Sequence, residues 1–360
     1  MKLKYVDSIR GIAILMVIFG HIGQEIRGLT LIPHLLTSYG QMGVQLFFVA
    51  SAYTLCRSAT NRENELQPLK KYAIRRFFRI APMYYLGLIG YFILALFIVY
   101  NKTGTLVIPF KYSFINVLAN VFFVHGFYLP ANNNIVPGGW SIGTEMAFYV
   151  IFPFLFYYGK KIVGSSLKRG LLMLLTVFIF SQLLLILIYY TIDLQVQDNN
   201  FLYYNLVHQL PVFCVGIIYY LVENNNKFIT NYKLDLLIFI VLTLLSLTLW
   251  NSEWSYKFSI IPFISAISFS FLINIFKKVD GLNFSLLSKI GTVSYSMYIL
   301  HFVLLHFSGI ASRQASINKN ILLIVLFMST VLVAFFLALI SEKYIEKPFI
   351  EIGKKIIQKL

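Results

Sequence analysis

Leu171–Tyr190 reads LLMLLTVFIFSQLLLILIYY, twenty residues in a row with no charged side chain. As a helix rising 1.5 Å per residue it covers about 30 Å, the thickness of a bilayer's hydrocarbon core. Stretches of the same kind recur along the whole chain, at 8–26, 41–57, 80–100, 140–158, 204–222, 234–250, 258–276, 290–309 and 321–342. The composition agrees. Of 360 residues, 58% are hydrophobic and only 12% charged, about half the charged share of a soluble domain, and mean hydropathy is +0.75. A water-soluble fold would have to expose most of that apolar surface, so soluble enzymes, disordered scaffolds and disulfide-stapled secreted domains are excluded. The expected fold is all-α and polytopic, with about ten transmembrane helices in a single domain over 1–360 and no soluble accessory domain. The segment 113–128 is too short to span and carries Asn116, Asn120, His125 and Gly126, so it is expected to be re-entrant or interfacial.

Charge sets the orientation. The net charge of +16 would suggest nucleic acid in a soluble chain, but cytoplasmic loops of membrane proteins carry excess Lys and Arg without any such partner. With both termini inside, 24 of the 30 basic residues fall in inner segments, leaving Arg27, Lys102, Lys111, Lys257, Arg313 and Lys319 outside. Cys56 and Cys214 both lie in apolar stretches, so no disulfide framework is indicated. The basic start at Lys2 and Lys4 lacks a cleavage site after its apolar run and is read as a retained first helix.

Ionisable groups inside a span are costly unless they face a cavity or a partner, which makes each one a functional candidate. Arg10 and His21 stand eleven residues apart in the first span, about three helical turns, hence on one face and roughly 16 Å apart along the axis. Glu145 lies roughly 7 Å inside the fourth span, flanked at i−4 and i+4 by Ser141 and Tyr149. In the ninth span Ser294, Tyr298 and His301 share a face. His21, Glu145 and His301 fall at similar depth in the outer half and are expected to line one pocket. At the inner surface, the Arg76-x-x-Arg79 spacing puts two guanidinium groups on one face, a geometry suited to bidentate phosphate contacts, whereas Arg75 reads as a topology anchor. Metal ligands are not expected.

Together these motifs resemble the membrane acyltransferase-3 family, which includes bacterial O-antigen and exopolysaccharide O-acetyltransferases. Arg10 and His21 match its Arg-x10-His start, and Gly43-Val44-Gln45-Leu46-Phe47-Phe48-Val49 is similar to its second-helix motif. Arg76 and Arg79 match its R-x-x-R, Trp140-Ser141 and Glu145 its W-S-x-x-x-E, Ser294 to Tyr298 with His301 its S-Y-S-x-Y-x-x-H, and Glu346-Lys347-Pro348 its E-x-P. Gln45 stands where the family commonly has Asp, and Ala52 where it has Gly.

The resemblance implies an integral inner-membrane O-acyltransferase with no bound cofactor. It would use cytoplasmic acyl-CoA, most often acetyl-CoA, as co-substrate, and acetylate a carbohydrate hydroxyl of O-antigen (lipopolysaccharide), capsule or exopolysaccharide precursor, free or lipid-linked, among the membrane lipids. The residues permit that chemistry. Arg10, Arg76 and Arg79 suit the donor's phosphates. His21 suits the proton transfer, because imidazole titrates near ambient pH. Glu145 suits the task of orienting the imidazole, and His301, Tyr298 or Ser141 that of donating to the oxyanion. Two rival readings use the same residues: an enzyme acting on a small diffusible acceptor, and a proton-coupled transporter with His21, Glu145 and His301 as its relay.

Overall fold

The computed structural model describes residues 3–164, 166–191, 199–224, 231–254, 256–314 and 316–360, and the described residues are helical with short connections and no strand. In chain order the helices are α1 (Lys4–Gln24), α2 (Leu31–Gly40), α3 (Gly43–Thr60), α4 (Pro68–Thr103), α5 (Phe114–Val121), α6 (Gly139–Val163), α7 (Leu167–Thr191), α8 (Asn199–Tyr204) and α9 (Leu206–Glu223). They continue with α10 (Tyr232–Trp250), α11 (Lys257–Lys278), α12 (Ser285–Thr292), α13 (Ser294–Gln314), α14 (Lys319–Ser341) and α15 (Lys347–Gln358). A π-helical turn, Glu342–Glu346, joins the last two.

Nine helical segments among the described residues are long and apolar enough to cross a membrane. The tenth expected span, 41–57, is helical as α3, but Gln45, Ser51, Thr54 and Arg57 dilute its apolar character. Most of α3 is buried inside the protein, so its surroundings are side chains and it does not need a lipid-compatible surface. Elsewhere the usual inside-out pattern of a soluble protein is reversed. Leu172, Phe180, Leu183, Leu237, Leu244, Ile324 and Met328 are exposed on α7, α10 and α14, while Gln45, His125, Asp235 and His301 are fully buried. Apolar groups outside and polar groups inside are what a bilayer demands, and the chain is a polytopic membrane protein.

The chain packs as two compact units. The first comprises Met1–Asn61, Phe156–Phe180 and Pro211–Ile340. Its centre is α1, whose Ile9, Ala13, Ile14, Val17, Ile18 and Ile22 are wholly buried. Neighbouring backbones come close to it because small residues stand at the crossings. A Cβ on Gly40 of α2 would lie 2.5 Å from the Met16 carbonyl oxygen and 2.8 Å from the Gly20 nitrogen, and only glycine allows that approach. On the opposite flank Gly291 of α12 rests on the Asp7 carbonyl. Helices α10 and α11 are clamped by a buried carboxylate. Asp235 accepts from Asn274 Nδ2 at 2.9 Å and pairs with Lys278 Nζ at 2.9 Å, the pairing that a fully buried charge requires.

The second unit comprises Arg62–Leu155, Ser181–Leu210 and Ser341–Leu360. The segment 113–128 belongs to it and holds the short helix α5 followed by a 3-10 turn at His125–Phe127. Tyrosine hydroxyls of α4 stitch it down. Tyr84 donates to Asn120 Oδ1 at 2.7 Å and Tyr85 to the Val121 carbonyl at 2.8 Å, while His125 Nε2 lies 2.9 Å from the Gly139 carbonyl at the start of α6. Helix α15 is amphipathic and packs Gly353 against Phe78 of α4. Its Phe349, Ile352 and Ile356 form an exposed apolar stripe of the interfacial kind.

Candidate active site

Each unit carries a group of the polar residues that the sequence singles out. In the first, α1 and α13 bring two imidazoles together: His301 Nε2 is 3.2 Å from His21 Nδ1. His301 is wholly buried, and its other ring nitrogen, Nδ1, lies 3.2 Å from the Met297 carbonyl oxygen one turn earlier on α13. That contact assigns the neutral tautomers in sequence. A carbonyl only accepts, so His301 Nδ1 carries the hydrogen and His301 Nε2 is a bare acceptor. His21 Nδ1 must then donate to it, which leaves the lone pair of His21 on Nε2. An imidazole held in that tautomer is a ready proton acceptor, and when it becomes imidazolium its Nδ1–H bond to His301 persists. The group oriented against His21 Nδ1 is therefore a second histidine.

Aromatic rings enclose the pair. The Phe302 ring is 4.7 Å from that of His21 and 4.0 Å from that of His301, and the buried Tyr298 ring is 5.6 Å from His301. Arg10, toward the start of α1, donates to Thr54 Oγ1 of α3 at 3.2 Å and lies 3.8 Å from the Asp7 carboxylate. The first half of α1 thus engages α3, and its last turns engage α13.

In the second unit, Glu145 of α6 accepts a 2.6 Å hydrogen bond on Oε1 from Tyr149, one turn on. The Tyr149 carbonyl accepts from Tyr72 of α4 at 3.1 Å. The Arg76 guanidinium sits against both rings, 5.8 Å from the Tyr72 centroid and 5.6 Å from that of Tyr149, a cation–π placement, and among the described residues no carboxylate pairs with it. Its neighbours differ. Arg75 is forked onto Glu65, with Nη1 to Oε1 at 3.0 Å and Nη2 to Oε2 at 2.7 Å, and this contact holds the Glu65 carboxyl below the usual carboxylate range. Arg79 is exposed. The buried Ser141 hydroxyl donates to the Gly138 carbonyl at 3.0 Å, and Trp140 stacks on Tyr204 at 4.4 Å.

The structure thus joins His21 to His301 in one unit and Arg76 to Glu145, through Tyr149, in the other. Sequence reasoning noted Tyr149 only as a flank of Glu145 and passed over Tyr72, although Tyr72 stands one turn before Arg76, the spacing at which a ring and a guanidinium meet on a helix. No cluster of His, Cys, Asp and Glu suited to a metal ion occurs among the described residues.

Comparison with known proteins follows the same lines. The chain is 24% identical to ORF330 of Acidianus two-tailed virus, provisionally named an acetyltransferase, over 85% of this chain and 84% of that protein. It is 30% identical to the peptidoglycan O-acetyltransferase OatA of Listeria monocytogenes over 46% of this chain and 26% of that protein. A Staphylococcus aureus protein, provisionally named an O-acetyltransferase, is 25% identical over 98% of this chain and 59% of its own length. The chain therefore spans little more than half, or less, of these bacterial relatives. No solved structure matches it. The profile of the acyltransferase domain family covers residues 3–340, nearly the whole helical frame and both polar centres. The chain belongs to the acyltransferase-3 family and is a membrane acyltransferase.

Proposed function

We propose that this acyltransferase is an O-acetyltransferase that takes acetyl groups from cytoplasmic acetyl-CoA and passes them to a hydroxyl of a cell-envelope carbohydrate on the other side of the membrane. The observation that carries the reading is the His21–His301 pair, 3.2 Å apart with His301 Nδ1 on the Met297 carbonyl; this geometry assigns hydrogens to His301 Nδ1 and His21 Nδ1 and the lone pair to His21 Nε2. In the reaction, the acceptor hydroxyl gives its proton to His21 Nε2 as its oxygen attacks the thioester carbonyl. The tetrahedral intermediate then collapses, the carbon–sulfur bond breaks, and the proton leaves with the coenzyme A thiol.

The donor end is supported by the arginines. Arg76 carries its charge on two aromatic rings and Arg79 is exposed, so both guanidinium groups suit phosphate oxygens. The concentration of 24 of 30 basic residues in alternate connections supports placing that end, with both termini, in the cytoplasm. Acetyl as the group and carbohydrate as the acceptor are supported by the names of the relatives, one of which acts on peptidoglycan. The test is release of coenzyme A thiol from acetyl-CoA by the purified protein in lipid nanodiscs, with and without a tetramer of N-acetylglucosamine. Acceptor-dependent thiol release matched by base-labile acetyl on the sugar is expected. Thiol release that ignores every carbohydrate added, with acetyl on none, contradicts the reading.

A further inference from the structure

The far end of α1, beyond His21, opens into a cavity of about 330 Å³. It is confined to the first unit, between the last turns of α1 and the second half of α13. His21 lines it; His301, wholly buried, does not. The apolar part of the wall is the Phe302 ring, next to His21, and Leu305, and the remainder is polar: Gln24, Glu25, His306 and Arg313. Four hydrogen-bonding side chains thus gather around one opening.

Their arrangement is specific. Glu25 and Arg313 carry opposite charges and share the cavity, yet they form no ion pair with each other among the described residues. Both head groups converge on Gly309 of α13. A Cβ there would lie 2.5 Å from Glu25 Oε2 and 3.9 Å from Arg313 Nη2, so the absence of a side chain makes the room that the carboxylate occupies. The Ser312 hydroxyl donates to the Glu25 carbonyl at 2.8 Å, which ties the end of α1 to α13 and holds the two walls in register.

We propose that this cavity is the acceptor subsite and that its ligand is one sugar unit of a carbohydrate chain, a proposal that rests on the acyl-transfer reading given above. A sugar hydroxyl both donates and accepts. A carboxylate that only accepts and a guanidinium that only donates, side by side and not spent on each other, match that dual character, and the Gln24 amide offers both functions. The Phe302 ring supplies an apolar platform for the C–H face of the ring, next to the base. The volume sits at the small end of the roughly 300–1,000 Å³ usual for ligand sites. It suits a single unit, with the remaining chain lying outside across the exposed rim of Gln24, His306 and Arg313. A hydroxyl held there is presented to His21, whereas the thioester must come from elsewhere.

The test is a split in kinetic constants. Membranes containing wild type, Glu25→Gln, Arg313→Ala or Arg313→Lys are given acetyl-CoA labelled in the acetyl group. The acceptors are the N-acetylglucosamine tetramer and the envelope carbohydrate of the expressing cells. Loss of a hydrogen bond to a charged group should raise KM for the tetramer roughly tenfold or more in Glu25→Gln and Arg313→Ala. KM for acetyl-CoA should stay within about twofold of wild type, and Arg313→Lys should recover part of the loss. Because Arg313 lies on the exposed rim, its substitution should leave protein levels near normal, and Arg313→Ala remains informative if Glu25→Gln lowers them. An unchanged KM for the acceptor, or a rise confined to acetyl-CoA, overturns the subsite while leaving the acyl-transfer reading standing. Absence of base-labile acetyl on any carbohydrate with the wild-type protein defeats that reading first, and the subsite with it.

Discussion

The two polar centres solve the problem of polarity in a membrane protein in opposite ways. The histidine pair of the first unit is assembled from neutral groups. A carbonyl, two imidazoles and a ring of aromatic side chains satisfy one another, so burial costs little and the tautomer is dictated by the backbone. The row in the second unit is charged. Arg76 lies on two tyrosine rings, and the nearby Glu145 takes a hydrogen bond from one of them. A neutral, locked network suits a group that must hold and release one proton. A cation cushioned on aromatic faces, with no carboxylate among the described residues claiming it, suits a group that must meet an incoming anion. The difference in construction therefore predicts a difference in kinetics: the first centre should govern turnover and the second should govern donor affinity.

The largest effect should come from breaking the first centre. His21→Ala removes the only ring nitrogen of the pair that is left free for the substrate, and transfer should fall about 10²–10⁴-fold, the usual contribution of a positioned base, while protein level and acetyl-CoA binding persist. Acetyl transfer to a carbohydrate acceptor, normalised to protein in the membrane, measures it. A smaller effect, in a different constant, is expected from the second centre. Arg76→Ala or Arg79→Ala should raise KM for acetyl-CoA roughly tenfold with kcat changed only a few-fold, because phosphate contacts remote from the thioester contribute mainly ground-state binding. Lysine at either position should restore only part of it, since a point charge cannot reproduce the planar fork. If KM is normal and the variants fail to accumulate, the arginines are topology anchors and the contrast between the centres is lost.

The smallest effect separates Arg76 from its neighbour. Arg75 is spent on Glu65, whose carboxyl that fork holds low. A carboxylate with a depressed folded pKa stabilises the fold fully above its unfolded value, about 4.3 for Glu, and that stabilisation disappears as pH falls through the lower folded value. The pair is partly exposed, so the contribution is below about 1 kcal/mol. Glu65→Gln should lower the thermal midpoint slightly at pH 7, and the difference from wild type should vanish well below pH 4. A difference that persists in acid would mean that Glu65 acts by packing.

Much of this was legible in the sequence, for definite reasons. Hydropathy marks spans because lipid is a uniform solvent, and depth follows from counting residues along a helix, so His21 and His301 could be placed at one level. That they touch could not be read, because it depends on how α1 and α13 are rotated about their axes, which packing decides. Helix α2 was missed because ten residues of mixed polarity resemble a loop. The break at Val293 between α12 and α13 was hidden inside one apolar run, and α15 has too few apolar residues to register as a span. Asp235 was passed over at the edge of its span. Its role as a clamp depends on Asn274 and Lys278, nearly forty residues or more further on. The polar rim of Gln24, Glu25, His306 and Arg313 also drew no attention: Gln24, Glu25 and Arg313 lie at helix ends, where charge is unremarkable, His306 stands inside its span, and only the folded helices gather the four.

The central claim is that His21 carries its hydrogen on Nδ1 and offers Nε2 to the substrate. Nitrogen NMR of the protein labelled isotopically at histidine, with the His21 and His301 signals assigned by single substitution, reads this directly at a pH where both rings are neutral. The account predicts hydrogen on Nδ1 in both rings and a bare Nε2 on His21. Hydrogen on His21 Nε2 would contradict it, because that ring could then donate to the acceptor hydroxyl but could not take its proton.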